Sequence, residues 1–126
     1  ALKIAPGRAA AYVDRGAERL AGGDRDGGRA DFTEAVRREP ARAAAVLTAV
    51  ERRADKEPPA EWCELCRRTL TTLRPLLKDN PEAQKAIDVG LEAAEGVKDV
   101  EQRAVKLRTT LAELRGKLST AAEPDK

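Results

Sequence analysis

Histidine and methionine are absent from this 126-residue chain, and aromatic residues nearly so: Tyr12, Phe32 and Trp62 are one of each kind. Without histidine no imidazole can act as a general base or a metal ligand. Scarce aromatics and scattered β-branched residues leave too little to build a sheet. Two cysteines do not make a disulfide framework. No apolar run approaches the ~20 residues that cross a bilayer, so no membrane partner is expected. An excess of charge is lacking as well, with 24 basic against 22 acidic residues. That balance argues against a dedicated nucleic-acid surface. The chain starts at Ala1, which suggests a piece cut from something longer and makes a missing leader uninformative. The arginine-, alanine- and glycine-rich usage suggests a high-GC bacterial source, and the expected location is the cytoplasm.

What the chain does have is alanine, the strongest helix former, and helical spacing of apolar residues almost throughout. Tyr12, Gly16 and Leu20 share one face of a first helix, with Val13 and Ala17 beside them. Gly22 and Gly23 stop that helix, and Asp24 is placed to cap the next. Phe32 and Val36 form the apolar stripe of the second helix, with Gly28 and Ala35 as small contacts, and Pro40 closes it.

Six of these residues fall at set places in a repeating helix-turn-helix unit: Tyr12, Gly16, Gly28, Phe32, Ala35 and Pro40. Residues 9–42 therefore resemble a tetratricopeptide repeat. Three positions depart from that pattern. Arg15 stands where leucine is common, Arg19 where tyrosine is common, and Gly28 where alanine is preferred. A shift by one such unit aligns residues 1–8 with its end and residues 43–54 with its start. The first is expected to be the tail of an earlier repeat, the second a capping helix. Val50 stands there in place of the pattern's glycine, and the resemblance stops at residue 54. Repeats of this family stack their first helices into a concave face that receives a peptide or a partner helix. The resemblance places Val13, Asp14, Ala17, Ala21, Leu47, Thr48 and Glu51 on that face, mildly acidic and suited to an apolar or basic segment. Some relatives clamp a carboxylate with lysine and asparagine there, whereas this chain has Asp14 and Glu51.

The second half carries no family pattern. Residues 55–59 are polar with Pro58 and Pro59, and read as a linker. From residue 60 the helical period returns through Trp62, Cys66, Thr69, Leu73 and Leu76, with a kink expected at Pro75. Asn80 and Pro81 restart a helix carrying Ile87, Leu91 and Ala94, which Gly96 is expected to end. Val100, Ala104, Leu107, Leu111, Leu114 and Leu118 then form a heptad seam. The predicted fold class is all-α: a tetratricopeptide-like solenoid fragment over 1–54, then a three-helix antiparallel bundle over 60–119 and a disordered tail over 120–126. Alternatively, two of the later helices extend the solenoid, or the last pairs as a coiled-coil dimer. An upstream-facing side of the first helix should expose Leu2, Ile4 and Tyr12 and cause weak self-association.

The one eye-catching motif is Trp62-Cys63-Glu64-Leu65-Cys66. It imitates the thiol pair of thioredoxin-like proteins, which sits after a strand, and no strand is predicted here. Zinc needs four ligands, so Cys63 and Cys66 would serve only in a symmetric dimer. Neither a catalytic residue nor a cofactor is predicted, and Cys66 is read as a small buried residue. The leading functional reading is a non-enzymatic scaffold with a protein or peptide partner. The second is a structural or oligomerisation region of a larger protein, and the third a redox or metal site at the cysteines.

Overall fold

A computed structural model of the chain describes residues 8–122, with side chains through Leu118. Among these residues there are six α-helices and no strands, so the protein is all-α. In chain order they are α1 (Ala9–Ala21), α2 (Arg25–Arg38), α3 (Ala43–Arg52), α4 (Pro59–Leu73), α5 (Pro81–Glu95) and α6 (Val100–Ala122). The expected partial repeat, apart from Arg8, lies outside the described residues. So do Leu2 and Ile4.

Local chemistry sets the boundaries. The Asp24 carboxylate accepts the Gly27 N–H at 2.9 Å and caps α2. The Asn80 side chain does the same for Ala83 at 3.0 Å, with Pro81 in the first turn of α5. Pro75 does not kink a continuous helix as expected. Instead α4 ends at Leu73 and the chain tightens into a 3-10 turn over Arg74–Leu77. Proline offers no N–H to an α-helical bond, and the tighter turn needs fewer such bonds. The carbonyl of Arg74 is satisfied by the Gln84 side chain at 2.8 Å. The last helix continues to Ala122, past the boundary expected at 119, and residues 123–126 lie outside the described set.

α1 and α2 make the closest helix pair among the described residues. A β-carbon placed on Gly16 would lie 2.7 Å from the Phe32 ring and 2.9 Å from the Gly28 carbonyl oxygen. One placed on Gly28 would lie 2.8 Å from Leu20 and 2.9 Å from the Gly16 oxygen. The two glycines thus face each other, backbone against backbone, with Phe32 and Leu20 buried on either side.

The helix boundaries recur past residue 54, where the sequence pattern stops. The step from Ala9 to Ala43, which opens α3, equals the step from Arg25 to Pro59, which opens α4. Both match the length of the tetratricopeptide unit. A 3-10 turn over Arg53–Asp55 completes α3 to the length of α1. Val50 and Trp62 now stand where Gly16 and Gly28 stand in the first pair. The Trp62 indole is fully buried, and its N–H donates to the Val50 carbonyl at 2.8 Å. A ring therefore stands in the space that two glycines leave closed, and α3 and α4 meet through this indole rather than by close backbone approach. α6 packs against both of them and against α5 instead. Leu107, Leu111, Leu114 and Leu118 of its heptad seam are buried within the chain. One continuous core joins all six helices across the 55–59 segment.

That segment is tied down by a buried acid. The Glu57 side chain is only 7% exposed, and it bonds Arg25 at the start of α2 and Arg53 beyond α3. Burial pushes the Glu57 carboxyl up, but the two guanidiniums outweigh it and hold the group below its ordinary value. A carboxyl lowered on folding adds stability above the unfolded value and loses it as pH falls through the folded one. Stability should therefore decline from about pH 4.5 downward, and Glu57→Gln should flatten that decline in an acid-unfolding titration. The glycine contact gives a sharper test. Gly16→Ala should cost about 1–3 kcal/mol by overpacking. Gly116→Ala, in α6 with no atom of the described residues within 4 Å of its added carbon, should gain about 0.5–1 kcal/mol. Thermal melts of the two variants should shift in opposite directions.

Candidate functional site

The residues that the repeat pattern assigns to an inner face come from α1 and α3, which touch each other. They divide by exposure. Leu47 is fully buried, and Val13 is 8% exposed. Both belong to the core and support the face from beneath. Asp14 and Ala21 are exposed, and Ala17, Thr48 and Glu51 are half-buried. The Thr48 hydroxyl turns back to the Ala44 carbonyl at 3.1 Å, so its polar end is satisfied within its own helix. Glu51 forms an ion pair with Arg115 of α6. Farther along α6, Arg108 reaches Asp55 at 3.7 Å. The accessible part of the face is thus made of small side chains and acids, with α6 bordering it through two arginines. The family resemblance proposes the α1 and α3 members, whereas Arg115 lies 64 residues from Glu51 and gave no local signal.

The opposite side of α1 differs from the apolar surface expected there. The Tyr12 ring is half-buried, with the Arg38 guanidinium 5.1 Å and the Arg15 guanidinium 5.7 Å from its centre. Arg15 donates twice to Asp31, at 2.9 and 2.8 Å, and Arg19 comes within 3.4 Å of the same carboxylate. Asp31 is only 3% exposed. Two of the three departures from the repeat pattern, Arg15 and Arg19, thus answer one buried acid on α2. A guanidinium lying over an aromatic face is attracted by the ring's negative centre. This side of α1 is accordingly polar and internally paired, because arginines cover what leucine and tyrosine would leave apolar.

Cys63 and Cys66 lie one turn apart on α4, and both are buried free thiols. Burial pushes the Cys63 thiol up, with Arg103 pulling the other way. Burial raises Cys66 much further, and Cys63 and Glu51 add to it. Cys66 stands one repeat step after Phe32 and is fully enclosed. Among the described residues no group of three or more histidine, cysteine, aspartate or glutamate side chains converges as a metal site would require. No helix among them is long and apolar enough to cross a membrane.

Comparison with known proteins finds no match: no protein-family model, no curated protein and no solved structure is similar to the chain.

The thiolate is the reactive form of cysteine, and both thiols are raised. Alkylation by iodoacetamide at pH 7 should therefore run slower than for free cysteine and accelerate as pH rises. Cys63 should react before Cys66, as read by mass spectrometry of the labelled peptide.

Proposed function

We propose that the chain is a protein–protein interaction scaffold whose residues 9–73 form two tetratricopeptide-type helix pairs. The observation that carries this reading is the equal step between helix starts, Ala9 to Ala43 and Arg25 to Pro59, together with the glycine-on-glycine contact of the first pair. A unit of that length stacks by its first helices, and the outer edge of such a stack offers a partner a shaped face. The face is the one on α1 and α3, with Asp14, Ala17, Ala21, Thr48 and Glu51 accessible and Val13 and Leu47 beneath. Its side chains are small, so a partner backbone approaches closely. Exposed Asp14, beside Glu51, favours a basic segment as the partner, and binding, not catalysis, as the activity. Cytoplasmic residence fits the reduced thiols of such a protein.

A second reading, a structural region of a larger protein, draws on the continuous core and on the local pairing of the arginines. Helices α2 and α4 carry their own arginine–acid pairs, Arg37 and Arg38 with Glu34, and Arg67 and Arg68 with Glu64. Such a surface has little uncompensated charge to offer any partner.

Photo-crosslinking separates the two. A crosslinker at Ala17 should trap a defined partner from the source cell, and one at exposed Val89 on α5 should not. Asp14→Lys with Glu51→Lys should reduce the Ala17 yield at least about tenfold, which corresponds to about 1.4 kcal/mol of lost binding. Equal trapping from Ala17 and Val89, or none from Ala17, would favour the structural reading.

A further inference from the structure

A cavity lies away from the α1–α3 face, where α4, α5 and α6 meet. Its volume is about 300 Å³, at the lower end of the range of small-molecule pockets. It runs from the surface, where Arg67 and Glu95 are exposed, down to buried Cys63 and Leu107. Leu91 and Ala94 complete an apolar floor. The Cys63 thiol donates weakly to the Val100 carbonyl at 3.8 Å and so lies at the base without competing strongly for a ligand.

The charges on the wall are not equivalent. Glu64 is held by two guanidiniums, Arg67 at 2.6 Å and Arg68 at 2.5 Å, which bring its carboxyl down to about 2. Glu95 shares the field of Arg67. Arg103 is different. Its Nε and Nη2 donate to the Val97 carbonyl at 3.0 and 2.7 Å, and Nη2 reaches the Lys98 carbonyl at 3.4 Å. These acceptors are neutral. They fix the guanidinium in the loop between α5 and α6 without cancelling its charge, and among the described residues it forms no ion pair with a carboxylate. Its field is felt at the base of the cavity, where it acts on Cys63.

We infer that this cavity binds a small apolar carboxylate, with the carboxylate on Arg103 and the hydrocarbon tail over Leu91, Ala94 and Leu107. A fixed guanidinium with uncompensated charge forms its strongest hydrogen bonds with a carboxylate. The apolar floor repels a second charge. At roughly 30 Å³ per liquid-packed water-sized group, the volume suits about ten non-hydrogen atoms. Octanoate has that size and serves as the probe.

The test uses the full chain and three probes of one tail length: octanoate, octanol and octylamine. Octanoate should raise the melting temperature saturably and slow iodoacetamide alkylation of Cys63 at least about fivefold. Octanol should act more weakly at equal concentration, and octylamine should not act. Arg103→Gln should abolish the preference for octanoate over octanol, and Arg103→Lys should restore part of it. A merely structural Arg103 would shift the melting temperature without touching that preference. Should Arg103→Gln fail to fold, the three probes on the unmodified chain and on Arg103→Lys still decide the matter. Octanol as effective as octanoate, no effect of any probe, or unchanged Cys63 alkylation at saturating octanoate would each overturn the inference.

Discussion

Backbone contact between α1 and α2 at Gly16 and Gly28 is the constraint on which the N-terminal half depends. Neither position has room for a β-carbon, and the approach this permits is what lets Phe32 and Leu20 be sealed between two short helices. One step later in the chain, the same two places hold Val50 and Trp62, and the consequence is architectural. The indole spaces α3 from α4 and hydrogen-bonds the Val50 carbonyl. The gap that opens is filled by the leucine seam of α6. A helix that looked suited to pairing with a second chain is thereby committed to the protein's own core.

Charge follows a matching logic. Two acids, Asp31 and Glu57, are nearly buried, and each is met by two arginines, at least one of them from another part of the chain. They hold α1 to α2 and the end of α3 to the start of α2. On the surface, the pairs within α2 and α4 lie three or four residues apart, where each contributes a few tenths of a kcal/mol. The result is that most described arginines have a carboxylate partner and a few do not. Arg103 is one of the few, fixed by carbonyl groups beside a cavity.

The two surfaces proposed for binding use different physics on different helices. The α1–α3 face is shallow, small-chained and acidic, and its apolar residues are already committed beneath it. The cavity between α4, α5 and α6 is deeper, with an apolar floor and one fixed cation. Occupation of one requires no group of the other, so a partner on the first face and a small carboxylate in the second are compatible in one molecule.

Much of the fold was legible in the sequence because it depends on neighbours within about one turn. Asp24 and Asn80 cap helices through N–H groups three residues on, and the apolar spacing marked all six described helices. The place of Phe32 against Gly16 was also readable, because a fixed spacing of small and aromatic residues has few other uses. What the spacing could not show was which surface stays open. The burial of Leu47 depends on packing from distant helices, the role of Arg15 depends on an acid 16 residues away, and Glu51 meets an arginine 64 residues on. The equal step between helix starts, from α1 to α3 and from α2 to α4, was hidden because bulky Val50 and Trp62 stand in the places of Gly16 and Gly28. Sequence alone determined the helical class and the starts capped by Asp24 and Asn80, since capping and periodicity are local. Only the tertiary structure decided which faces were buried and which charges were left uncompensated, since both depend on contacts between residues far apart in the chain.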